Sequence, residues 1–211
     1  MATRQAGYRR AGWRVYRREV GEFVGPGRRV VVALVALTAG WLGAVGADAL
    51  FRARDDFRWD GATRVVGDLG FGCVVVGAAF VVIFAVWWRR DRRHLPPVPW
   101  RDDRLVVDHT QPGAPELSAQ LAPRLLASAA KQRFDAVGSL TMLLASFGAA
   151  IVGALILVGV TVVSEVPALS FAGLLIGSLS LPAMSVRSFD VLGRAAAAAD
   201  LASQHPAVAA R

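Results

Sequence analysis

Cysteine is almost missing from this chain of 211 residues: Cys73 stands alone, inside an apolar run. A disulfide within the chain is thereby excluded, and so is any multi-cysteine zinc or iron–sulfur centre. Histidine is nearly as scarce, and His94, His109 and His205 lie in separate polar segments without ligand spacing. Lysine occurs once, at Lys131, so arginine carries the other positive charges. HExxH, GxSxG, Walker A and GxGxxG motifs are all absent. Gly67, Gly70 and Gly72 are close together, but they sit in an apolar run with no phosphate-binding lysine after them. Asp108–His109 reads as a solvated turn. These absences lead us to expect a non-enzymatic protein with no cofactor, no metal and no catalytic residue.

What the chain does have is hydrophobicity and positive charge, kept apart. Hydrophobic residues make up 55% of it and the mean hydropathy is +0.45, yet 24 Lys+Arg against 16 Asp+Glu give a net charge of +8. The two properties coexist because they alternate along the chain. Four apolar runs stand out: Val30–Phe51, Val65–Trp88, Ala136–Ser164 and Val166–Val186. Roughly 20 apolar residues cross a hydrocarbon core as a helix. Turn signals that would divide the runs into buried strands are lacking. A backbone in lipid must also satisfy its own hydrogen bonds. We therefore expect an all-α membrane protein of four transmembrane helices arranged as two hairpins. Its segments are a basic stretch at 1–29, spans at 30–51 and 65–88, an outer loop at 52–64, an inner loop at 89–135, spans at 136–164 and 166–186, and a helical tail at 187–211.

Arginine sets the expected orientation. The first tail, the 89–135 loop and the last tail hold 20 of the 24 basic residues; Arg52, Arg54, Arg58 and Arg64 make up the other side. Both ends are thus expected in the cytoplasm of a bacterial inner membrane, the bacterial part resting on an Ala, Val, Gly and Arg bias. Ala47-Asp48-Ala49 resembles a signal-peptidase site. The apolar stretch before it exceeds the usual ~7–15 residues, which favours an uncleaved span.

The first tail has a helical pattern of its own. Trp13, Tyr16, Val20 and Phe23 recur every three or four residues, while Arg10, Arg14, Arg17 and Arg18 crowd the opposite side. Such a helix suits the inner leaflet, with rings in the acyl boundary and guanidinium groups on anionic lipid. Nucleic acid is not expected, because no nucleic-acid-binding signature accompanies the charge. In the loop, Pro96, Pro97 and Pro99 read as a stiff linker and 104–108 as a short strand. From Pro115 the chain reads as helical, with Leu117, Leu121 and Leu125 in one stripe and Pro123 starting or kinking it.

Candidate sites within the spans are few. Small residues at close spacing suit helix packing: Gly40, Gly43 and Gly46; Ala145, Ala149 and Gly153; and Gly173-x-x-x-Gly177. Packing within the bundle is the expectation, with a homo-oligomer or another membrane protein as the alternative use. Asp48 and Asp68 close apolar runs and are expected to pair with Arg52 and Arg64 at i,i+4 spacing. The sharper reading is that the two acids form an ion or proton site at the outer face. Three functions follow: a membrane component acting through helix–helix and cytoplasmic partner contacts, a small oligomeric transporter or channel with an acidic outer site, or a membrane enzyme.

Overall fold

The computed structural model describes residues 2–52, 61–163 and 181–209. It is all-α: no strand occurs among the described residues. The elements are α1 (Ala2–Phe23), α2 (Pro26–Arg52), α3 (Gly61–Arg92), a 3₁₀ turn (Trp100–Arg104), α4 (Leu105–Thr110), α5 (Leu121–Val163), α6 (Leu181–Ser203) and α7 (Pro206–Ala209). Three helices, α2, α3 and α5, are long and apolar enough to cross a membrane. The expected fourth span, 166–186, lies outside the described residues except for its last six, as do Gly173 and Gly177. Most of the 52–64 loop lies outside them too.

Local chemistry explains the helix ends. Pro26 occupies the first helical position of α2, where its missing N–H leaves nothing unpaired, and the Gly25 carbonyl accepts the Arg29 N–H at 3.0 Å. Arg89, Arg90 and Arg92 fall in the last turn of α3, where cations face the negative end of the helix dipole. Pro123 falls in the first turn of α5, which tolerates it; the helix begins at Leu121 rather than at residue 115. With 43 residues α5 is about 65 Å long, far more than a ~30 Å hydrocarbon core requires.

Contacts divide the chain into two compact units. The first comprises Met1–Phe23, Val86–Leu140 and Met184–Arg211. Its core joins Val106 of α4, Leu125 and Ala129 of α5, and Ala195, Ala198, Ala199 and Ala202 of α6. The alanines recur at i, i+3, i+4 and i+7, so they present one face small enough for close approach. Burying Leu125 completely contributes about 1.5–3 kcal/mol. Leu117 packs on this core from outside the helix, so the leucine stripe is covered by the chain itself. The expected strand at 104–108 is instead the end of the 3₁₀ turn and the start of α4. A helix puts Val106 and His109 on one face, both buried, and burial outweighs the weak β-propensity of Val106 and Val107. Residues 96–99 form no regular element, and Pro99 has φ −56° and ψ 141°, near the polyproline value.

The second unit comprises Val24–Ala85 and Thr141–Ala183. In it α3 contacts α2 on one side and α5 on the other. A Cβ at Gly72 would lie 2.7 Å from the Gly40 carbonyl oxygen, and one at Gly43 would lie 2.9 Å from Gly72 Cα. Toward α5, a Cβ at Gly77 would meet the Ser146 carbonyl at 2.6 Å, and one at Gly70 would meet Leu157 at 2.9 Å. Gly153 in turn lies over the Gly70 carbonyl. Close contact of this kind can hold helices together without exclusion of water.

Candidate functional site

The first unit gathers most of the polar side chains that pair across elements. Glycine brings α1 against α6: a Cβ at Gly12 would overlap the Phe189 carbonyl, and one at Gly193 the Tyr8 carbonyl. Around this crossing, Phe189 meets Trp13 and Tyr16 edge-on at 5.4 and 5.9 Å. Further along α1, Phe23 meets Phe134 at 6.1 Å, and the Tyr8 hydroxyl donates to the Thr110 carbonyl at 2.9 Å. The aromatic stripe is thus helical as expected but differs in its target. Tyr16 and Phe23 are buried against the chain's own rings, because α6 and α5 supply aromatic partners that the tail alone does not reveal. Val20 is half-buried and Trp13 half-exposed, while Arg10, Arg14, Arg17 and Arg18 are exposed. None of these four arginines takes part in an ion pair among the described residues.

Charges are paired elsewhere in the unit. Arg133 bridges to Glu19 of α1. Lys131 donates to Asp103 at 2.9 Å, Gln132 donates to the Asp103 carbonyl at 2.7 Å, and Ser128 donates to the Asp102 carbonyl at 2.9 Å. Three neighbouring positions of α5 and one a turn earlier thereby pin α1 and the 3₁₀ turn. The Trp88 indole N–H donates to Asp135 at 3.1 Å, Arg92 approaches the same carboxylate at 3.4 Å, and its guanidinium lies 5.3 Å from the Trp88 ring. Arg194 pairs with Asp190 at 2.9 Å and lies 5.7 Å from the Tyr8 ring. His109 is no solvated turn residue. Its ring is buried on α4, with Nδ1 3.0 Å from the Leu105 carbonyl and Nε2 without a partner.

In the second unit, Asp48 and Arg52 form the expected pair at 2.6 Å. The expected Arg64–Asp68 pair is not formed. Arg64 Nε donates instead to Asp48 Oδ1 at 2.6 Å, and Asp68 Oδ1 is buried without a hydrogen-bond partner. Side chains of a helix lean toward its N-terminus. Arg52 therefore leans back onto Asp48, whereas Arg64 leans away from Asp68 and reaches across to α2. The acid-first order is the favourable one at i,i+4 for the same reason.

Of the expected packing residues, Gly40 and Gly43 meet α3 and Gly153 meets α3, whereas Gly46 has nothing within 4 Å. Ala145 and Ala149 are half-buried; the contacts with α3 run through Ser146, Ala150, Gly153 and Leu157. A strict four-residue spacing drifts around a helix, while the 4-3-4 spacing of this second set stays on one face. The glycines of α3 were missed as packing positions. The seven-residue interval from Gly70 to Gly77 was their sequence signal.

Among the described residues, no group of three or more His, Cys, Asp or Glu side chains is placed to hold a metal ion. Compared with family models, with curated proteins and with solved structures, the chain matches none of them.

Proposed function

We propose that this chain is a non-enzymatic membrane protein of a bacterial inner membrane. In this reading it spans four times, with both ends and the 89–135 loop in the cytoplasm, and acts by presenting its first unit to partners and to the inner leaflet. The observation that carries the reading is the arginine face of α1, which takes part in no ion pair among the described residues. Arg10, Arg14, Arg17 and Arg18 are exposed on the side of α1 opposite buried Tyr16 and Phe23. Arginines needed only to fix orientation require no ordered helix beneath them. A rigid, one-sided array suits anionic lipid or an acidic protein surface. The distribution of arginine along the chain supports the topology.

The second unit fits a passive role in lipid. Only 11% of the most apolar stretch of α2 is buried, against 28% for α3 and 33% for α5, so lipid or another membrane protein must cover its leucines and Trp41.

Reporter fusions test the topology. Fusions at residues 110 and 203 should report cytoplasm and one at residue 58 the opposite side; residues 58 and 110 in one compartment would overturn it. Purification in mild detergent with mass determination tests the mode of action, and a monomer with no bound protein or anionic lipid would count against it. A second reading, an acid-lined transport protein, draws on Asp68, whose Oδ1 is buried and unpaired near Asp48. It requires that Asp68→Asn abolish a proton or cation flux in reconstituted vesicles, and no flux in the unsubstituted protein would remove it.

A further inference from the structure

The first unit contains an open groove of about 340 Å³ between the end of α3, the start of α5 and α6. Trp88, Gln132, Asp135, Ser139, Arg187 and Ser188 contribute to its lining. Its volume is that of a small-molecule site. We propose that it binds the phosphodiester headgroup of an anionic membrane glycerophospholipid, with Arg187 as the charge partner. The inference rests on the membrane reading above and names a specific ligand for one face of this unit.

Charge makes the first part of the case. Asp135 is the acid in the groove, and it is already engaged by the Trp88 indole and by Arg92. The nearby acid on α6, Asp190, is paired with Arg194. Arg187 is exposed and has no ion-pair partner among the described residues. Of the two charged side chains in the lining, Asp135 is thus engaged and Arg187 is left uncompensated, which matches one phosphodiester.

Hydrogen bonding makes the second part. The Ser188 hydroxyl donates to the Met184 carbonyl at 3.0 Å and the Ser139 hydroxyl to the Ala136 carbonyl at 3.1 Å. Both are bonds within their own helix, and a hydroxyl proton rotates readily to a stronger, anionic acceptor. Position along the chain makes the third part. Trp88 ends one apolar run just before Arg89 and Arg90, and Ala136, one residue after Asp135, begins another. Tryptophan and arginine at the end of an apolar run mark headgroup depth. A pocket between helices at that depth, with an arginine free of any ion pair, suits a lipid phosphate.

The test uses the full chain, delipidated in mild detergent and examined by native mass spectrometry. Phosphatidylglycerol, phosphatidylcholine and inorganic phosphate are added separately. Retention of phosphatidylglycerol over phosphatidylcholine is expected, falling about fivefold in Arg187→Gln and partly restored in Arg187→Lys. Ser139→Leu, which fills the groove, should lower retention without removing a charge. Arg14→Gln, on α1, should leave this lipid in place. Equal retention by Arg187→Gln and the unsubstituted chain, equal retention of both lipids, or inorganic phosphate held as well as lipid would each overturn the proposal. Vesicle flotation separates the two levels. A chain that does not float with lipid overturns the membrane reading itself, whereas one that floats but ignores Arg187 overturns only the groove.

Discussion

The two units solve the same problem, holding long helices together, with different means. In the first, side chains far apart in sequence pair by charge and hydrogen bond: Arg133 with Glu19, Lys131 with Asp103, Trp88 with Asp135, Tyr8 with the Thr110 carbonyl. In the second, the described polar pairing between helices is Arg64 with Asp48, at the helix ends. Beside it, glycines bring backbone against backbone and neighbouring side chains. The difference teaches where specificity comes from in each. Directional pairs fix register in the first. In the second, close backbone approach and shape complementarity do so.

At the α1–α6 crossing the first unit borrows the packing style of the second. Gly193→Val puts carbon onto the Tyr8 carbonyl and should destabilise the first unit by about 3 kcal/mol. Limited proteolysis should then show α1 released, while Gly7→Ala, with open space at its Cβ, should leave the chain as stable or more so. If Gly193→Val melts with the unsubstituted chain, α1 is not held where we place it.

Leu125→Ala comes next. It empties a fully buried site in the first unit and should cost about 2–5 kcal/mol in thermal unfolding monitored by circular dichroism. Gly72→Val, in the second unit, should act more locally. Cysteine cross-linking between α2 and α3 should weaken while the unfolding of the first unit stays unchanged, and a joint loss of both would mean that the two units do not respond separately.

A smaller effect is expected at Glu19→Gln. It leaves Arg133 half-buried and without its carboxylate, and should cost about 1–2 kcal/mol. A double-mutant cycle with Arg133→Met isolates the coupling, and zero coupling would reduce the pair to a surface contact. Smallest in stability is replacement of Arg10, Arg14, Arg17 and Arg18 by Gln, within about 0.5 kcal/mol because the side chains are exposed. Affinity of the chain for anionic vesicles should nevertheless fall steeply; unchanged affinity would remove the role we assign to that face.

Helix identity was legible because hydrophobic runs of this length leave few alternatives: α2 and α3 contain the expected runs with one to four residues added at each end, whereas α5 starts fifteen residues before the expected run at 136. The direction of a contact was not legible. The stripe of Trp13, Tyr16 and Phe23 announces an apolar face, but lipid, protein and a partner all satisfy that pattern. Only the arrival of Phe189 and Phe134 chooses between them for Tyr16 and Phe23. Similarly, Arg64 and Asp68 have pairing distance in sequence, and side-chain lean overrules it in favour of Asp48.

Amino-acid order alone determined that the chain is helical, that its apolar and arginine-rich parts are separate, and that multi-cysteine metal chemistry is closed to it. Those properties follow from periodicity, run length and residue inventory, which act locally. Tertiary structure decided which glycines touch, which acid receives Arg64, and that the segment from Trp100 to Leu125 joins α6 in a filled core. Those choices depend on residues dozens of positions apart meeting at contact distance, and they follow from how helices pack rather than from any one segment's pattern.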